Sequence, residues 1–119
     1  MARQSLTWVN IAKPEPGRQY VVLVSYLPLR SYSKIPAFLR HAREVEGQLR
    51  TSSGLVGYSL KADVFRKQFL TLSAWESEVA LADFVGRKPH SSVMASFRPF
   101  MGKTKFVKWS PPGSELPPS

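Results

Sequence analysis

The sequence predicts an α+β fold in which a four-stranded antiparallel sheet carries helices on one face. Three observations predict it. Four short runs rich in β-branched and aromatic residues are bounded by turn residues. Two longer stretches carry apolar side chains at helical spacing. Their order along the chain is strand, helix, strand, strand, helix, strand.

Residues 1–18 read as an arm. Leu6-Thr7-Trp8-Val9 suits a short strand or a packing segment, and Lys13-Pro14-Glu15-Pro16-Gly17 is a loop, because two prolines and a glycine interrupt regular structure. Residues 19–109 form the domain. Tyr20 to Leu27 is its strongest strand, stopped by Pro28. Ser33 is placed to cap a helix whose first turn accommodates Pro36. Ile35, Phe38, Leu39, Ala42, Val45 and Leu49 give that helix an apolar stripe to about Arg50, and Ser52-Ser53-Gly54 ends it. Leu55 to Leu60 and Lys67 to Trp75 predict an antiparallel hairpin around a turn at Ala62 to Arg66.

Ser77 is the expected cap of a second helix, with Glu78 in its first turn and Gly86 at its end. Pro89 opens a further helical stretch with Val93, Met94 and Phe97 in register, stopped by Pro99. Lys105 to Trp109 is the last strand. Residues 110–119 are a Pro- and Ser-rich tail, expected to be extended or disordered. The order is the ferredoxin-like βαββαβ pattern.

The 119 residues suffice for one domain. There is no cysteine, which excludes disulfides, thiol nucleophiles and thiolate metal sites. His41 and His90 stand near no carboxylate cluster at metal-ligand spacing, so neither a metal nor a cofactor is expected. No apolar leader or span is legible, and a cytoplasmic protein is the expectation. The net charge of +9 favours anionic partners but is spread along the chain, without the basic block of a nucleic-acid tail.

The strands are apolar on both faces. Val21, Leu23 and Leu27 point one way, and Val22, Val24 and Tyr26 the other. Helices cover only one face of such a sheet. A second copy packed sheet to sheet, giving a homodimer, is therefore expected on the other.

VSYLPLRSYSKIPAFLRHA, GLVGYSLKAD, TLSAWESEVALADFV and PHSSVMASFRPFMGKTKFVKW give the chain a family likeness over most of residues 20 to 109. It resembles the dimeric α/β-barrel superfamily that includes antibiotic biosynthesis monooxygenase domains. Within it, the chain is most similar to uncharacterised bacterial members loosely similar to spheroidene monooxygenase. The resemblance implies a ligand cleft between sheet and helices and a dimer across the opposite sheet face. It also implies a choice of activities, among them cofactor-free oxidation of polycyclic phenols and haem degradation. Haem-degrading members carry an Asn on the first strand, a Trp nine residues past the strand-end Trp and a His ten further on. Phe84 and Met94 occupy those positions here, and Tyr20 to Leu27 has no Asn, so that activity is not expected.

Cofactor-free oxygenation needs an apolar pocket, a base to ionise a phenol, and polar groups for the anion. His90 is the candidate base, because histidine titrates near neutral pH. Trp75, Arg40, Tyr26, Tyr58, Ser25, Phe84 and Met94 are the candidate substrate-binding residues, and Arg43 is an alternative to Arg40 for holding an anion. Each also has a plainer reading. Trp75, Phe84 and Met94 suit a core, His90 a helix start, His41 the surface, and Tyr58 either face. A small-molecule-binding or regulatory dimer is the alternative to an enzyme. RNA recognition shares the strand order, but Lys67 to Ala74 lacks the glycine and the second and third aromatics of an RNA-binding strand.

Overall fold

The run that begins at Val21 becomes the centre of a sheet because it is apolar on both sides. In the computed structural model, which describes residues 8–88 and 90–116, the sheet has five strands. They are β1 (Val9–Asn10), β2 (Val21–Pro28), β3 (Leu55–Asp63), β4 (Gln68–Trp75) and β5 (Lys105–Trp109), in the order β1-β3-β4-β2-β5 with antiparallel pairing throughout. The ferredoxin-like core of four strands is present. The fifth comes from the arm, where Val9 and Asn10 pair with Tyr58 and Gly57. The expectation of four strands is corrected on that point. The short strand expected at Leu6 to Val9 is met at Val9 and runs on to Asn10, while Leu6 and Thr7 lie outside the described residues.

Three helices cover one face: α1 (Ile35–Arg50), α2 (Glu78–Gly86) and α3 (His90–Phe97). Ser77 caps α2 as expected, its hydroxyl accepting from the Ala80 N–H at 3.1 Å. The expected cap of α1 differs. A 3₁₀ turn at Tyr32–Lys34 precedes that helix, and Ser31, not Ser33, caps the turn. Pro89 lies outside the described residues. Between α1 and β3 the chain turns at Gly54, whose φ of +83° is left-handed. A side chain there would also place its Cβ 2.6 Å from that of Ala80.

The register assigns the faces. Leu23, Ser25 and Leu27 of β2 stand opposite Ser73, Thr71 and Phe69 of β4 and face the helices. Val22, Val24 and Tyr26, opposite Ala74, Leu72 and Leu70, face away. Two core clusters close the ends of the helix–sheet layer. Leu27, Leu29, Ile35, Phe38, Phe69, Val93, Phe97 and Met101 close one, and Leu49, Leu55, Tyr58, Trp75, Leu81 and Phe84 the other.

On the opposite face, Tyr20, Val22, Val56, Leu72 and Ala74 are buried under Trp8 and Leu116. The described part of the tail is extended at Pro112 and Leu116, as expected, but turns between them. Residues 113–115 form a 3₁₀ turn. The Gly113 N–H donates to Arg18 O at 2.8 Å, the Tyr20 N–H to Pro111 O at 2.9 Å, and the Ser110 hydroxyl to Tyr20 O at 2.7 Å. Backbone pairing with the Pro14–Tyr20 loop orders a segment whose composition alone reads as loose.

Candidate ligand cavity and its histidine

Between the two core clusters the helices stand away from the sheet and leave a cavity of about 840 Å³. That is within the range of small-molecule sites. Its floor is Leu23 and Ser25 of β2, Thr71 and Ser73 of β4, and Phe106 of β5. Val45 of α1 and Met94 of α3 roof it, and Phe38 and Phe84 stand at its ends. The walls are mainly apolar, and the floor carries a stripe of hydroxyls.

His90 lines this cavity at the first residue of α3. Gln48 of α1 fixes the junction behind it. Its Oε1 accepts from the His90 N–H at 2.9 Å, and its Nε2 donates to Phe84 O at 3.0 Å. The His90 Nδ1 lies 3.1 Å from Val85 O. A carbonyl only accepts, so Nδ1 carries the proton and Nε2 keeps a lone pair. Burial pushes the imidazole pKa below 6.5, and the bond to the Val85 carbonyl opposes this only in part. His90 is therefore neutral at neutral pH, with one nitrogen able to accept a proton.

Aromatic rings back the histidine. Its ring lies 4.9 Å from that of Phe84, which lies 5.2 Å from that of Trp75. Trp75 is fully buried and its Nε1 donates to the Ser73 hydroxyl at 2.9 Å. Trp75 is therefore not a cleft rim, because Phe84 stands between it and His90. From the same face of β4 it orients the neighbouring floor hydroxyl of Ser73.

Of the other expected site residues, Ser25, Phe84 and Met94 line the cavity together with His90. Tyr26 does not: it lies on the opposite face, one residue out of phase with Ser25. Arg40 is exposed on α1 outside the lining, whereas Arg43, one turn on, is in it. His41 faces Phe97 and pairs with Glu44 at 2.7 Å. Tyr58 is buried, and its hydroxyl donates at 2.7 Å to Glu46, which does line the cavity.

Burial and the Glu46 carboxylate push the Tyr58 pKa up to about 12, so the phenol stays a donor. Arg50 approaches the same Glu46 oxygen at 3.5 Å. Tyr58→Phe is expected to cost about 1.5–3 kcal/mol, the range for a hydrogen bond to a charged group. Urea unfolding of the two proteins checks this.

Thr71, Ser73, Glu46, Gln48, Arg98 and Lys108 were not legible as site residues. For Thr71 and Ser73 a signal existed: small polar residues at alternate positions on the strand face that carries Phe69 and Trp75. For Gln48 none did, since one glutamine beside an apolar stripe reads as surface. Lys108 pairs with Glu78 at 2.5 Å, whereas Arg43 and Arg98 make no ion pair among the described residues. No group of three or more His, Cys, Asp or Glu is placed to hold a metal among those residues.

No family model matches the chain, and no curated protein does. Solved structures do. A provisionally named antibiotic biosynthesis monooxygenase from Nitrosomonas europaea is 18% identical, with a TM-score of 0.69, over 87% of this chain and 95% of that one. Another provisionally named one, from Caulobacter crescentus, is 17% identical at a TM-score of 0.67 over 77% and 89%. A mutant of SnoaB from Streptomyces nogalater, described as a cofactor-independent oxygenase, is 10% identical at a TM-score of 0.60 over 76% and 90%. Such identities speak for architecture, and the chain has the fold shared by antibiotic biosynthesis monooxygenase-like proteins.

Proposed function

We propose that the protein is a cofactor-independent, monooxygenase-like enzyme acting on a small aromatic or polyene-type substrate in the cavity between sheet and helices. The observation that carries this reading is a neutral histidine, with a free proton-accepting nitrogen, lining an apolar cavity of ligand size. A phenolic substrate buries its rings against Leu23, Phe84 and Met94. His90 Nε2 takes the phenolic proton. The hydroxyls of Ser25 and Thr71 donate to the phenolate, and Arg43 or Arg98 supplies compensating charge from the cavity wall. The electron-rich anion then reduces O₂ directly. When a ring methylene becomes a carbonyl, one oxygen atom enters the product and the other leaves as water, so the substrate supplies every electron. SnoaB, of similar fold, is described as a cofactor-independent oxygenase.

One observation favours a second reading, a non-catalytic ligand-binding or regulatory protein. The bonds of His90 to Gln48 and Val85 are also those of a helix-junction residue. Incubation in air with a panel of polycyclic phenols under ¹⁸O₂ separates the two. Incorporation of label into product that depends on the protein supports the enzyme. A rise in melting temperature with no labelled product supports the binding protein.

The unit is proposed to be a homodimer through the face away from the helices. Trp8 and Leu116 cover one part of that face. Val24, Tyr26 and Leu70 remain half-buried, and Val107 is 57% exposed. Light scattering at micromolar concentration is expected to give twice the chain mass, and Val107→Glu to shift it toward the monomer. A wild-type monomer under those conditions counts against the dimer.

A further inference from the structure

The end of the sheet where β2 stops and the β3–β4 hairpin turns carries exposed apolar side chains that take no part in the cavity lining. Phe65, at the tip of that hairpin, is 89% exposed, and its neighbour Val64 is 44% exposed. Beside them Tyr32 is 56% exposed and its hydroxyl donates to Phe65 O. Three loops meet here and hold one another by backbone bonds. The Leu29 N–H donates to Lys67 O at 2.7 Å, the Arg30 N–H to Phe100 O at 2.9 Å, and the Gly102 N–H to Pro28 O at 2.9 Å. The apolar tip therefore projects from a tied base.

The charge around it is one-sided. Residues 29–34, 63–67 and 98–103 hold six cations, Arg30, Lys34, Arg66, Lys67, Arg98 and Lys103, against one carboxylate, Asp63. That carboxylate is already taken up by the Arg66 N–H at 3.2 Å and its guanidinium at 3.8 Å. Five of the chain's nine net positive charges thus sit at one end, around exposed apolar side chains.

We propose that this end is a docking surface for an anionic lipid bilayer, with Phe65 and Val64 entering the headgroup–acyl boundary and the cations facing lipid phosphates. Charge and shape select this occupant. A convex apolar tip gains nothing from a nucleic-acid phosphate backbone, and it needs an apolar phase to enter. A second copy meeting the same end across a two-fold axis would set five net positive charges against five. An apolar anchor inside a basic field is the combination that an anionic interface rewards. Of the six cations only Arg98 also lines the cavity, and with the other five the proposal does not depend on what the cavity binds.

The test is co-sedimentation of the full chain with vesicles of phosphatidylcholine alone and of phosphatidylcholine with phosphatidylglycerol. The chain has no cysteine, so Val64→Cys and, at the opposite end of the sheet, Ser53→Cys each accept one environment-sensitive dye. The protein is expected to sediment with the anionic vesicles only, and less so as salt rises. The dye at Val64→Cys is expected to shift to the blue on binding, and the dye at Ser53→Cys is not. Phe65→Ser, at a site with no packing to lose, is expected to weaken binding at least roughly tenfold. Arg66→Glu is expected to weaken it roughly fivefold or more. Equal sedimentation of wild type and Phe65→Ser overturns the proposal, as does absence of binding or of the Val64 shift. Retention of single-stranded RNA in place of vesicles, or a change of oligomeric state in Phe65→Ser, also overturns it.

Discussion

Replacing His90 with alanine is expected to lower turnover of a phenolic substrate by roughly 10²- to 10⁴-fold, the span of a positioned general base. The ring lies at the first residue of a helix and is only half-buried, so the fold and dimer are expected to persist. His90→Gln separates base from spacer, because it keeps a polar side chain but cannot take the proton. The pH profile carries the same information. Burial holds the folded-state pKa of His90 below 6.5. The acid limb of turnover should therefore fall below pH 6.5, as the imidazole gains its proton and loses its lone pair. Stability follows the same sign. Below 6.5 the unfolded chain binds that proton more readily than the folded one, so this group's contribution declines as pH drops through that value. His90→Gln should flatten this part of the profile. Turnover unchanged in His90→Ala would remove the residue from the chemistry.

Trp75→Ala is expected to be the most destabilising of the substitutions considered, by about 3–5 kcal/mol, the range for deleting a buried indole. Trp75 is fully buried, it backs Phe84, and its indole N–H satisfies Ser73. Losing it empties the cluster that closes one end of the cavity, so ligand affinity should fall together with stability. Denaturant midpoints of wild type and variant check the first part. Trp75→Phe keeps most of the ring but not the N–H. It should recover most of the stability while leaving the Ser73 hydroxyl free to rotate.

The two substitutions mark where the sequence was legible. The β-branched and aromatic strand runs, the Ser77 cap and the stripe from Ile35 to Leu49 specify the fold, because each is a local preference that tertiary packing reinforces. The site was legible only where one residue type has few alternative uses. His90 stands out as one of two histidines, and its partners do not. Gln48 and the Val85 carbonyl meet it through the crossing of α1 with the α2–α3 junction, a contact that no local pattern encodes. Tyr26 and Ser25 show the limit most plainly. They are neighbours in sequence, and a strand's two-residue period sends one to the cavity and the other to the opposite face. Arg40 and Arg43 differ by one turn of helix, and the lining takes only the second. Trp75 drew notice as a strand-end aromatic, but its place behind Phe84 is a contact between β4 and α2 that no local pattern encodes.

The central claim is that the helix–sheet cavity receives an apolar ligand beside His90. Methyl-labelled NMR during titration with 1-naphthol tests it most directly. Saturable shifts concentrated at the methyls of Met94, Leu23 and Val45 are the predicted result. Shifts confined to Val24 and Val107 on the opposite face, or none that saturate, would contradict it.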